Sequence, residues 1–236
     1  MQVRRANKGD LKEVYKLYCD GFKDLKPSLP FENSIINDET CYVLIYNDKI
    51  IGMIVAIPCW YNGVKGNQPH ALTIAKEHRG NHLGLFFFNE MIKDRCSMGD
   101  RFSVMLPAYD FLYAYYSKLG FESIKANSRI IDRDSFIKFD GEVVKYEDRF
   151  KSFCFNSAIA NGDYVQSNPC LICGCKSKDN NYIKVTDCLP DNSGIIKPLV
   201  KSKIYLPNKN GNEKYGMIIN YDGQVRQGIF PWLSNY

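Results

Sequence analysis

The sequence predicts an α/β (α+β) chain, with a mixed sheet flanked by helices over residues 1–140 and a smaller β-rich domain over residues 141–236. Three observations lead there. Up to about residue 139, β-rich runs alternate with amphipathic helical periods. Beyond residue 141 the texture changes to short β-like runs separated by Asn, Asp and Gly turns. A chain of 236 residues, 45% hydrophobic and 24% charged, also has the length and apolar content for one large or two small domains with a real core.

The elements follow in order. Val3-Arg4-Arg5 begins an edge strand. Asp10 and Glu13 have the spacing of a capping box, and Leu11, Val14, Tyr15, Tyr18 and Phe22 then recur at three and four, which predicts a helix. Pro27 and Pro30 break it, and a polar loop runs to Thr40. Residues 41–46 and 49–57 are β-rich and joined by Asn47-Asp48, a hairpin. Residues 61–69 read as a Gly/Asn-rich turn region, and residues 70–75 as a short strand with His70, Leu72 and Ile74 on one face. A helix follows with Leu85, Phe88, Met91 and Ile92 on one side. After a strand at 101–106 comes another helix, with Phe111, Leu112, Tyr115 and Leu119 inward and Gly120 as its left-handed cap. A strand begins near Phe121. In the second region, residues 150–160 predict a helix, and residues 170–173, 182–185, 203–206 and 215–220 predict strands.

Charge and apolar runs exclude some functions. There are 31 Lys and Arg against 26 Asp and Glu, with no dense basic run, so no nucleic-acid partner is expected. No apolar stretch approaches the roughly 20 residues of a membrane span, and the N-terminus lacks a signal-peptide core, so the expectation is a cytoplasmic protein with no membrane contact. Nine cysteines are then expected as reduced thiols. Cys170, Cys173, Cys175 and Cys188 admit two readings, a zinc site or a buried strand of small apolar residues. The spacing departs from paired Cys-x2–4-Cys, and no metal is expected.

The chemistry concentrates in residues 78–84, His-Arg-Gly-Asn-His-Leu-Gly, between the strand at 70–75 and the next helix. The first amides of a helix lack intrahelical partners, and the helix dipole places partial positive charge there. Glycines allow the backbone to approach a bulky anion, and Arg79 adds a cation able to bond phosphate through two N–H groups. The run is neither a Gly-x-Gly-x-x-Gly fingerprint nor a P-loop.

Residues 73–85 resemble the central motif of the GCN5-related N-acetyltransferase (GNAT) superfamily, a strand followed by Arg/Gln-x-x-Gly-x-Gly/Ala and a helix. Residues 104–108 and Tyr116-Ser117-Lys118-Leu119-Gly120-Phe121 resemble that superfamily's next strand and its Tyr-x-x-x-Gly-Phe helix end. The resemblance covers about residues 1–140. His82 departs from it, standing where the motif has glycine.

The resemblance implies transfer of an acetyl group from acetyl-CoA (coenzyme A) to a small-molecule or peptide amine, by direct attack on the thioester. Thr73, Ile74 and Ala75 would pair with the pantetheine arm, and Arg79, Gly80, Asn81, His82, Leu83 and Gly84 would hold the pyrophosphate. Tyr116 would protonate the departing thiolate, and His70 would relay a proton from the acceptor, with Glu32 as a second candidate. A non-catalytic acyl-CoA-binding or sensor protein on the same fold is the alternative. The layout is also similar to the multi-domain acetyltransferases typified by the mycobacterial enhanced-intracellular-survival protein, which brings the terminal carboxylate of Tyr236 into consideration at the acceptor pocket. A homodimer is left open.

Overall fold

The computed structural model describes residues 1–22, 35–131, 137–139, 144–166, 171–176, 182–189, 194–196 and 203–223. The first strands follow chain order: β1 (Gln2–Arg5), β2 (Cys41–Tyr46), β3 (Lys49–Tyr61) and β4 (Val64–Ile74) lie side by side, each antiparallel to the next. The turn between β2 and β3 is Asn47-Asp48, and both residues have positive φ (47° and 58°), as a two-residue hairpin requires.

The turn region expected over 61–69 is corrected. Asn62 and Gly63 alone make the turn (φ 49° and 78°), and β4 starts at Val64. The polar run that imitates a loop is a strand whose side chains find interior partners. Asn67 donates to Asp100 at 2.8 Å, and the Tyr146 hydroxyl donates to Gln68.

Helices cover both faces of this sheet. α1 (Leu11–Gly21) lies on one face, where Val14 and Tyr18 pack in a core with Val43, Met53 and Val55. The cap expected for α1 differs: Asp10 closes a capping box with Asn7 around the preceding short turn, and its carboxylate pairs with Arg4 at 2.6 Å. The other face carries α2 (Leu83–Ser97) and α3 (Asp110–Ser117). There Phe87, Phe88 and Met91 pack with Tyr42, Leu44 and Ile54. Each of those fully buried apolar side chains contributes about 1.5–3 kcal/mol. The alternation Val43/Leu44 and Met53/Ile54 between the two cores is the period-two signature of a sheet buried on both sides.

α3 is phased differently from expectation. Tyr113 is buried and Phe111 is exposed. The segment Asp-Phe-Leu-Tyr-Ala-Tyr-Tyr is apolar or aromatic nearly all round, so periodicity cannot choose its inner face.

After β4 the chain passes through α2 to β5 (Phe102–Met105), parallel to β4, and through α3 to β6 (Glu122–Ile131). Gly120 has φ 88° at the end of α3, as expected. Among the described residues β7 (Ile137–Phe139) pairs only with β12 (Gly194–Ile196), while β8 (Lys145–Tyr146) adds to the end of β3. α4 (Asp148–Asn161) packs Phe150 and Phe153 into the core beneath α1. β9 (Tyr164–Gln166), β10 (Leu171–Lys176) and β11 (Tyr182–Leu189) extend the sheet.

The last described strand, β13 (Lys203–Asn220), joins the two regions. Two β-like runs and the turn read between them are one strand, whose pairing with β6 slips between Asn208 and Glu213. Its early residues lie parallel to β11, and Met217 to Asn220 pair with β5. The path β1-β2-β3-β4-β5-β13-β11-β10-β9, with β6 on β13 and β8 on β3, is one 11-stranded sheet crossing residue 140.

A buried polar network ties this seam together. Arg95 bonds Asp100 through Nε and Nη2 at 2.7 and 3.1 Å, and both side chains are fully enclosed. Ser103 donates to Asn67 at 2.8 Å and shares a hydrogen bond with the Tyr221 hydroxyl. No helix among the described residues is long and apolar enough to cross a membrane.

Candidate active site

β4 and β5 pair only at Asn67 and Ser103. β5 ends at Met105 while β4 runs on to Ile74, and no described strand pairs with that edge of β4 beyond Asn67. An open strand edge offers N–H and C=O groups to an extended ligand. The opposite edge is closed, since the Ala75 amide donates to the Ile51 carbonyl at 2.8 Å.

A bulge shapes this end. Thr73 lies opposite Met53 and His70 opposite Val55, so Ala71 and Leu72 together face Ile54. Ala71 takes φ 56°, a left-handed conformation that costs an alanine about 1–2 kcal/mol. The extra residue reverses the alternation. Leu72 and Ile74 pack toward α2 and α3, whereas His70 stacks on Phe22 at 6.4 Å and meets the edge of Phe153 at 6.3 Å, on the side of α1 and α4. The expectation that His70 shares a face with Leu72 and Ile74 is therefore corrected. Thr73 is buried on the His70 side, under the end of α1, where Gly21 leaves no room for a Cβ (2.6 Å from Thr73 Oγ1).

The phosphate-type loop follows at once. Residues 76–78 form a short turn, Gly80 has φ 88°, and His82 caps α2 with φ 56° and ψ 13°. Leu85 and Phe86 are the first amides to find a helical acceptor, the His82 carbonyl at 3.1 and 3.2 Å. None of the five amides of residues 80–84 has a backbone acceptor among the described residues. They sit at the positive end of a 15-residue helix, an arrangement able to hold a diphosphate. His82 occupies the glycine place of the motif in the left-handed backbone that glycine would adopt, with its imidazole exposed. Asn81 is exposed, while Leu83 and Gly84 form the first turn of α2. Arg79 is exposed and folds back, its Nε donating to the Ile74 carbonyl at 2.7 Å.

α3 reaches this loop through Tyr115, expected to face inward but given no role in the site. A Cβ at Gly84 would run into the Tyr115 hydroxyl, and the Leu72 side chain lies close beside it. The signal was the glycine itself, which here makes room for a phenol. The Tyr115 ring stands edge-on to Tyr116 at 5.2 Å. Tyr116 packs against Phe88 and Phe121 at 5.9 and 6.1 Å, and burial, with Tyr115 adding, pushes its phenol up to about 12. The structure thus brings Leu72, Ile74, the start of α2 at Leu83 and Gly84, Tyr115 and Tyr116 to one side of β4, and leaves Thr73 with His70 on the other.

Other sequence candidates fall elsewhere. Glu32, Cys170 and Tyr236 lie outside the described residues. Cys173 is buried on β10, its thiol 3.8 Å from the Cys154 carbonyl. Among the described residues no group of three or more His, Cys, Asp or Glu side chains could hold a metal ion.

The model of an acetyltransferase (GNAT) domain family matches residues 2–124. Among solved structures, Eis1 from Mycobacterium abscessus superposes with a TM-score of 0.67 at 9% identity, over 94% of this chain and 74% of that one. A probable N-acyltransferase from Enterococcus faecalis gives 0.65 at 13% identity, over 94% and 73%. A GCN5-related N-acetyltransferase from Anabaena variabilis gives 0.60 at 13% identity, again over 94% and 73%. At these identities the likeness is one of fold. A comparison with curated protein sequences gives no match. With its family model covering the strand, loop and helix that build the site, the chain belongs to the GNAT acetyltransferase family.

Proposed function

We propose that this chain is an acetyl-CoA-dependent N-acetyltransferase acting on an amine of a small molecule or peptide by direct attack on the thioester. The observation that carries the reading is the run of five unpaired amides at residues 80–84, set where the open edge of β4 ends.

In this reading those amides hold the pyrophosphate, and Arg79 leaves the Ile74 carbonyl to join them. Freed in this way, Ile74 pairs with the pantetheine arm alongside Thr73 and Ala75, as an added strand would. The bound cofactor supplies a thioester carbon for the amine and a thiolate as leaving group. Tyr116, like any phenol, keeps its proton throughout the neutral range, and burial raises it further, so it serves the departing sulfur as a hydrogen-bond donor. On the far side of β4, His70 faces α1 and relays a proton from the incoming ammonium through water.

The test is a thermal shift with acetyl-CoA, followed by free-thiol release over a panel of amines. A shift that weakens in Arg79→Ala, with turnover for at least one amine, is the expected result. No shift at millimolar acetyl-CoA sinks the reading. Binding without turnover for any amine favours a non-catalytic acyl-CoA sensor instead.

A further inference from the structure

Tyr109 and Phe111 are the two most exposed aromatic side chains among the described residues, at 64% and 69%. They are also ordered against each other, with rings nearly parallel at 8° and centroids 5.7 Å apart. Single exposed apolar residues need no explanation, but a stacked pair forms a flat apolar surface facing water.

Its place in the fold says what would cover it. β4 and β5 are parallel, so the loops leaving them emerge toward the same end of the sheet, β5 ending at Met105 and β4 running further on to Ile74. Tyr109 begins α3, and Phe111 lies four residues before Tyr115, on the same face of that helix. The Tyr115 hydroxyl rests on Gly84, the last of the five unpaired amides. Phe111 is therefore exposed one helical turn before the residue that touches the phosphate loop. A diphosphate held at residues 80–84 carries an acyl arm down the edge of β4 and a nucleoside in the other direction, outward.

We propose that Tyr109 and Phe111 form the platform on which the adenine of the cofactor stacks, making the nucleotide end a source of affinity in this chain. The inference rests on the cofactor reading above and adds two residues to it. Tyr115 acts as a positioning residue that fixes the distance between platform and phosphate loop.

The experiment compares two probes, acetyl-CoA and acetyl-4′-phosphopantetheine, which lacks the nucleoside, on the wild type and on a Tyr109→Ala/Phe111→Ala double variant. Both side chains are mostly in water, so the variant is expected to keep its melting temperature. Base–aromatic stacking predicts a loss of about tenfold or more in acetyl-CoA affinity, with phosphopantetheine binding unchanged. Adenine absorbance near 260 nm should fall on binding to the wild type and not to the variant, and Tyr109→Phe/Phe111→Tyr should restore both. An unchanged ratio of the two affinities overturns the platform, as does equal weakening of both probes. A wild type that binds neither probe removes the cofactor reading itself, which separates the two failures.

Discussion

β4 has two ends of opposite character. At its beginning a chain of buried polar side chains is matched: Asn67 to Asp100 and Ser103, Asp100 to Arg95, Ser103 to Tyr221. At its far end the backbone is strained at Ala71 and His82, the β5-side edge is open, and five successive amides lack backbone acceptors among the described residues. One strand carries a closed, satisfied seam and an open, unsatisfied one about ten residues apart. Stability and ligand capacity are thereby separated along a single element, and substitutions at the two ends should act on different observables.

The largest effect is expected at the closed end. Asp100→Ala strands the enclosed Arg95 guanidinium, and breaking such a pair costs about 3–5 kcal/mol. Urea denaturation should show it, and loss of less than about 1 kcal/mol would mean that water reaches Arg95. At the open end, Arg79→Ala should leave stability within about 0.5 kcal/mol while weakening acetyl-CoA binding by about 1.5–3 kcal/mol, read by calorimetry. A stability loss matching the loss of affinity would erase the contrast between the ends.

Gly84→Ala probes the contact between α2 and α3. The new methyl meets the Tyr115 hydroxyl, and overpacking of this kind costs about 1–3 kcal/mol. Adding Tyr115→Phe removes the obstructing oxygen and should return most of that stability. A double variant no more stable than Gly84→Ala alone would show that the strain lies elsewhere. The smallest effect belongs to His82→Gly. It relieves a left-handed non-glycine residue and should raise stability by about 0.5–1 kcal/mol. Any fall would show that the imidazole itself holds the loop.

Tyr116 adds a pH test. Its phenol is raised to about 12, so it stays protonated as pH increases past the ordinary tyrosine value of about 10. Turnover should show no descending limb from this group below about pH 11, and Tyr116→Phe should lower kcat with the affinity for acetyl-CoA unchanged.

What could be read from the sequence was local. The Asn47-Asp48 hairpin, the Gly120 cap and the strand-loop-helix at residues 70–84 each carry their signal within a few residues. Tertiary decisions could not be read. Alanine gives no hint of a left-handed bulge, so the face of His70 came out reversed. A helix as aromatic as α3 has no polar stripe to phase it, which hid both the exposure of Phe111 and the approach of Tyr115 to Gly84. Asn67 and Gln68 read as loop residues because their partners lie 33 and 78 positions away.

The return of β13 bears on how the chain is made. Met217 pairs with Met105, and Ile218 with both Val104 and Glu122. On a ribosome, β5 and β6 leave the tunnel long before the strand that separates them. Between those moments both present bare edges inside what will become the core, and closing the gap requires contacts 96 to 114 residues apart. Segments 132–202 must be synthesised first and kept clear of that slot. A nascent chain stalled near residue 200 is then expected to pair with another copy more readily than the finished chain.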